Sequence, residues 1–279
     1  QSFVVEMVGH DDLMNAIALN SLTFNVARMI GPSLAGILMG SFGVSACFLI
    51  NSLSFGAVLI SLFFIHPVAC AVPDQKERQG VFASIKEGLQ YIFKNETLYI
   101  TLLFMTVVSI FALNYGVTIP VFATQILGLA ETGYGFLLSA LGAGALLGAL
   151  LVAALSKNGP RRFILFFFPA LTGLILIVIG NTSSFLTTAL SVAVGGFLFV
   201  TYLSTANSNL QIHTEDRFRG RVMSVYSLGV AGSSPIGNLF VGAMDNSYGA
   251  RMGFIASGIA VIVFIVPIFV LMFVRRDRM

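Results

Sequence analysis

Charge is what this chain has least of. Asp, Glu, Lys and Arg make up 10% of it, against 57% for apolar residues, where soluble domains carry roughly 25% and 45–50%. No soluble core of 279 residues with mean hydropathy +0.93 hides that much apolar surface, whereas lipid can. Cysteine occurs twice, Cys47 in an apolar run and Cys70 in a loop, which leaves no disulfide framework and no thiolate metal spacing. His10, His66 and His213 are scattered through loops without ligand spacing, so neither a metal nor a cofactor is expected. An integral-membrane enzyme would need a nucleophile and base, or metal ligands, converging inside the apolar stretches. A channel would favour rings of charge or filter carbonyls. The sequence offers neither, and both readings are remote alternatives. The chain opens at Gln1, with no Met and no signal peptide, as a fragment would.

What the chain has is long apolar runs. A helix crosses the ~30 Å of hydrocarbon with about 20 residues, and eight stretches qualify: 14–40, 44–65, 98–126, 132–155, 163–180, 184–208, 222–244 and 252–274. The fold class is therefore all-α integral membrane. Short separators carry turn residues, such as Ser41-Phe42-Gly43, Asn181-Thr182-Ser183 and Asp245-Asn246-Ser247-Tyr248-Gly249. Only 66–97 is a long polar connection. Within it Phe82, Ile85, Leu89, Ile92 and Phe93 recur at helical spacing with Lys86, Glu87 and Lys94 between them. That pattern predicts an amphipathic helix on the membrane surface.

Basic residues set the orientation. Lys76, Arg78, Lys86 and Lys94 lie in the long connection, and Lys157, Arg161 and Arg162 two spans later. Arg217, Arg219 and Arg221 follow after two more, and Arg275, Arg276 and Arg278 close the chain. Thirteen of the 15 Lys and Arg thus fall on one side, which is expected to be cytoplasmic together with both chain ends. The arginine triads read as topological anchors that can touch anionic lipid; no nucleic-acid partner is expected.

Two segments share a pattern. Pro32, Gly36 and Gly40 precede a short turn, Gly43 and Phe48; Pro235, Gly237 and Gly242 precede a short turn, Gly249 and Phe254. Gly43 and Gly249 are 206 residues apart, which suits a six-span unit plus a linker. The division that follows is 1–65, the last two helices of an N-terminal half; 66–97, a central cytoplasmic loop; and 98–279, a six-helix C-terminal half.

Arg28 is the only charge deep in a stretch, at a cost of at least ~2.5–3.5 kcal/mol on insertion scales, so it should face the bundle interior. Ser21, Asn25, Arg28 and Pro32 fall on one stripe, and Pro32 frees the Arg28 carbonyl at an expected kink. The functional reading is a gating or coupling helix; the plain one is a snorkelling or structurally paired arginine. All twelve acidic residues lie in loops or at span ends, so no proton-carrying carboxylate is visible deep in the membrane. Asn114 and Tyr115, with Pro120 behind them, interrupt the third stretch. Thr201, Tyr202, Asn207 and Gln211 do the same in the sixth, and Asn238 in the seventh. Asn114, Tyr115, Thr201, Tyr202, Asn207 and Asn238 either line a substrate cavity or pack between helices. Ala140, Gly144 and Gly148 recur every four residues, a spacing for close helix approach. The run through Gly142, Gly144 and Gly148 is not a phosphate loop, because it sits inside an apolar helix.

These residues resemble the major facilitator superfamily in its twelve-span exporter branch. Asn25-Val26-Ala27-Arg28-Met29-Ile30-Gly31-Pro32-Ser33-Leu34-Ala35-Gly36 is similar to the antiporter motif of the fifth helix. Ile85-Lys86-Glu87-Gly88-Leu89-Gln90-Tyr91-Ile92 resembles the branch's central surface helix. Arg219-Gly220-Arg221-Val222-Met223-Ser224 with Ser234-Pro235-Ile236-Gly237 resembles the start of its eleventh helix. Ser156-Lys157-Asn158-Gly159-Pro160-Arg161-Arg162 echoes the superfamily's Asp-Arg-x-Gly-Arg-Arg loop but lacks the Asp, which leaves a charge relay there in doubt. The resemblance implies a major facilitator-type helical bundle with helices 5–12 of twelve present, monomeric when full length, in the plasma (cytoplasmic) membrane. It implies a secondary active transporter, proton-coupled, exporting a small amphipathic drug or siderophore by alternating access. Asn25, Arg28, Gly31, Pro32 and Gly36 would then be the transport and gating residues. A lipid or lysophospholipid transporter of the same superfamily is the alternative.

Overall fold

The structure is a computed structural model that describes residues 13–64, 81–129, 131–155 and 159–276. Regular structure among the described residues is helical throughout. In chain order the helices are α1 (Leu13–Phe64), α2 (Val81–Lys94), α3 (Glu96–Ala112), α4 (Tyr115–Gln125), α5 (Glu131–Leu155), α6 (Arg162–Asn181), α7 (Phe185–Ile212), α8 (Asp216–Tyr248) and α9 (Ala250–Arg276).

Two glycines make the sharp corners. Inside α1, Gly43 leaves the helical region with φ 77° and ψ 171°. Gly249, between α8 and α9, takes φ 90° and ψ 162°. That quarter of backbone space is essentially closed to residues with a Cβ. The two positions are those paired by the sequence repeat, so the two corners are built alike. The separators before them, read as turns, are instead helical up to the glycine.

Among the described residues six segments are long and apolar enough to cross a membrane: Ser41–Phe64, Glu96–Gln125, Gly133–Leu155, Arg162–Asn181, Phe185–Ile212 and Ala250–Phe269. The 14–40 stretch forms the first limb of α1, where most side chains lie outside the described residues. The 222–244 stretch forms the middle of α8, whose 33 residues are ample in length. It drops out on composition, because Ser224, Ser227, Ser233, Ser234 and Asn238 alternate with Gly229, Gly232, Gly237 and Gly242.

α5 packs against α7 and against α1, α6 against α9 and α7, and α8 against α3 and α9. Phe104, Phe122, Tyr202 and Phe254 are the largest side chains sealed inside. Phe163, Phe167, Leu171, Leu174 and Val178 form an exposed apolar row down α6, the kind of face that a bilayer rather than water accepts. The α5–α7 contact is close because it is lined by glycine. A Cβ at Gly144 would lie 1.7 Å from Ala193 O, and one at Gly196 would lie 2.2 Å from Leu141 O.

Candidate functional site

The interruption expected at Asn114 is a real break between α3 and α4. Asn114 turns its Nδ2 back onto Ile110 O at 2.7 Å, and its carbonyl accepts the Thr118 hydroxyl at 2.8 Å. Its Oδ1 is buried with no hydrogen-bond partner. The break is pressed against α8 at Gly237, where a Cβ would fall 2.0 Å from Ile110 O and 2.6 Å from Asn114 Oδ1. Asn238, the next residue, is half-buried and donates from Nδ2 to Ser234 Oγ at 3.3 Å. So the structure brings Asn114 and the Asn238 turn of α8 to one place. Tyr115 points elsewhere: its ring lies 6.3 Å from that of Phe254, and its hydroxyl lies where a Gly195 Cβ would be 2.6 Å away.

On α7 the candidates divide. Thr201 is buried and donates to Phe197 O at 2.6 Å, its oxygen packed against Gly148 of α5. Tyr202 is sealed in the core with no partner for its hydroxyl. Asn207 stands half-exposed and accepts from Gln211 Nε2 within the same helix. Asn114, Tyr115, Thr201 and Tyr202 therefore face the interior of the α3–α9 bundle, whereas Asn207 and Asn238 stand at its surface. A cross-helix side-chain bond from α7 to α3 belongs to Asn209, whose Nδ2 donates to Thr101 Oγ1 at 2.9 Å. Sequence reasoning missed Asn209, although it continues the Tyr202 stripe at helical spacing.

A cavity of about 100 Å³ lies between the ends of α5 and α7 and the start of α6, beside Arg161, Thr205 and Ser208. Drug-sized ligands need roughly 300–1,000 Å³. The α8 surface also has polar character. Ser224, Ser227, Ala231, Gly232 and Pro235 are exposed along one stripe, with Leu228, Ile236 and Leu239 beside them.

At the basic end of the bundle, α2 is fastened to the first turns of α8. Glu87 pairs with Arg221 at 2.5 Å and with Arg217 at 3.5 Å. Tyr91 stacks on Phe218 with ring centroids 4.2 Å apart, and its hydroxyl accepts from Glu215 N at 3.2 Å. Arg217 and Arg221 both lie over the Phe218 ring, at 5.4 Å and 5.6 Å. Exposed ion pairs are worth ~0–1 kcal/mol and a stacked ring pair ~0.5–1.5 kcal/mol, so the aromatic pair is the stronger fastening. Tyr91→Ala should accordingly speed amide hydrogen exchange along α2 by about tenfold, and Glu87→Gln by about twofold. Equal effects from the two would mean that the ion pairs hold the helix instead.

At the far end, Arg251 of α9 donates to Gly180 O at 3.0 Å, Thr182 O at 2.9 Å and Ser183 Oγ at 2.9 Å. It staples the α6–α7 turn to α9. Asn25, Arg28, Gly31, Pro32 and Gly36 lie on α1, where the backbone is helical. Their side chains lie outside the described residues.

Known proteins resemble this chain in sequence. The chain is 24% identical over 240 residues to the multidrug efflux pump Tap of Mycobacterium tuberculosis, covering 85% of this chain and 57% of that protein. It is 23% identical over 266 residues to the MFS-type transporter YfmI of Bacillus subtilis, covering 94% of this chain and 65% of the relative. To the staphyloferrin A transporter of Staphylococcus aureus it is 20% identical over 248 residues, covering 88% and 61%. The chain thus spans about three-fifths of the length of these relatives. The family model described as transmembrane secretion effector matches residues 1–277 from end to end, and the chain belongs to that branch of the major facilitator superfamily, a multi-pass membrane protein among transporters.

Proposed function

We propose that this chain is part of a secondary exporter, working by alternating access and driven by protons, for a small amphipathic compound of the drug or siderophore kind. Its N-terminal 1–65 would close one half of the transporter, 66–97 would be the cytoplasmic loop, and 98–279 the other half. Transport rather than catalysis is the reading, with the full-length protein a monomer in the plasma membrane. The observation that carries it is α8. This membrane-length helix mixes serine and glycine with its apolar residues and exposes Ser224, Ser227, Gly232 and Pro235 on one stripe, as a wall of an aqueous path between two halves would. Asn207 and Asn238, at the surface, are its substrate-facing candidates; Asn114 shapes the α3–α4 break behind it.

The test uses the full-length protein in proteoliposomes. An imposed pH gradient should drive accumulation of an amphipathic cation or a siderophore, and a protonophore should collapse it. Movement of lysophospholipid with no movement of either compound would replace the drug reading with the lipid one. Orientation is checked separately. Cysteines at Arg219 should react with impermeant thiol reagents only from the cytoplasm, and those at Asn181 and Asn246 only from outside.

A further inference from the structure

Asp245 is the carboxylate that the mechanism above does not use. It lies one residue beyond the 222–244 stretch, in the last turn of α8. Its Oδ1 accepts from Gly253 N at 2.9 Å, an N–H in the first turn of α9. Its Oδ2 is buried without a hydrogen-bond partner. A Cβ on Gly253 would meet Oδ1 at 2.2 Å and Thr118 Cγ2 at 2.8 Å, so the carboxyl sits against α4, one turn from Asn114.

Charged groups on the neighbouring elements do not balance it. Arg251 of α9 directs its guanidinium to the α6–α7 turn. Tyr115 is the ionisable residue of α4, and its hydroxyl lies at Gly195. Glu96 and Tyr99 of α3 lie at the basic end, Tyr202 of α7 and Tyr226 of α8 lie in the basic half, and Tyr248 is exposed. Burial pushes the Asp245 carboxyl up to about 6, with the Gly253 N–H pulling it part of the way back.

We propose that Asp245 is a proton-binding site of the transport cycle: protonated, it seats in the α4–α8–α9 corner, and ionised, its unpartnered oxygen draws that corner open to water. In the cycle the proton enters from water on one side of the membrane and leaves to water on the other as the two halves alternate, and only the carboxyl O–H bond forms and breaks. This rests on the proton-driven reading above. Opening here would act on the α3–α4 break through Thr118 and Asn114, and on the polar stripe of α8 directly.

Asp245→Asn separates titration from capping, because its amide oxygen can still accept the Gly253 N–H. In proteoliposomes of the full-length protein, gradient-driven accumulation should fall by about tenfold or more while substrate exchange at equal pH stays within about twofold. Asp245→Asn should also melt higher than the wild type at pH 7.5, the difference shrinking as pH falls below about 6 and closing near the ordinary carboxylate value of 3.8. The sign follows from a carboxyl raised in the folded state: its favourable contribution is present at low pH and is lost as pH rises through the folded value. Wild-type driven transport in Asp245→Asn overturns the proposal and leaves proton coupling standing. Loss of exchange together with a lower melting temperature overturns it too, making the carboxylate a structural cap. A wild type indifferent to the pH gradient fails the coupling reading itself, and the proposal with it.

Discussion

Gly144→Leu should leave almost no folded protein. At Gly144 a single Cβ already falls 1.7 Å from Ala193 O, and the obstacle is backbone, which cannot swing aside. The same interface meets again at Gly148, 2.6 Å from Phe197 O, and at Gly196, 2.2 Å from Leu141 O. Moving α5 off α7 at one crossing therefore opens all three. Overpacking a single site costs typically 1–3 kcal/mol, and a domain holds only about 5–15 kcal/mol in reserve. A leucine that unseats a whole helix pair spends most of that. The measurement is the monodisperse fraction of detergent-solubilised protein, compared with Ala143→Leu one residue away on the exposed side. Gly116→Ala, where nothing lies within 4 Å of the new Cβ, should be neutral or gain up to ~1 kcal/mol from helix propensity. If Gly144→Leu and Ala143→Leu accumulate alike, α5 and α7 are not packed as described.

Which parts of this were legible in the sequence follows from how far each signal reaches. Hydropathy is local, and so the helices and the amphipathic α2 could be read directly, whereas the turn residues before Gly43 and Gly249 proved helical. Glycine and proline are local too: the break at Asn114 and the close approach at Gly144 and Gly148 were visible as spacing. The α8 helix was read as a span from its apolar stretch 222–244, and that Ser224, Ser227, Gly232 and Pro235 share one exposed stripe shows only in the fold. The fastening of Glu87 and Tyr91 to Arg221 and Phe218 joins residues more than a hundred positions apart, as does the Asn209–Thr101 bond. No periodicity encodes such a pairing. Asp245 was passed over because a carboxylate at a span end looks solvated in one dimension. Only the fold lays Gly253 and Thr118 over it.

Arg28→Ala in the full-length protein should abolish driven efflux, by about a hundredfold or more, with membrane insertion and abundance close to wild type. The arginine sits near the middle of the 14–40 stretch, where a charge costs at least ~2.5–3.5 kcal/mol. Removing it relieves that cost, so the bilayer-inserted helix should not suffer. Whatever the guanidinium pairs with is then left behind, and for a buried partner that stranding is the larger penalty. If the partner is a protonatable carboxylate, losing the cation raises its pKa, because nothing any longer favours the ionised form. Residual transport should then show a pH profile displaced upward. Arg28→Lys keeps the charge but not the planar fork, and should restore the profile before it restores the rate. Pro32→Ala supplies the N–H that Pro32 lacks and closes onto the Arg28 carbonyl. It should slow turnover while leaving substrate affinity nearly unchanged, since it stiffens a bend rather than a binding contact. Normal efflux with an unshifted profile in Arg28→Ala would make the arginine structural. The polar stripe of α8 would then be left to carry the transport path without it.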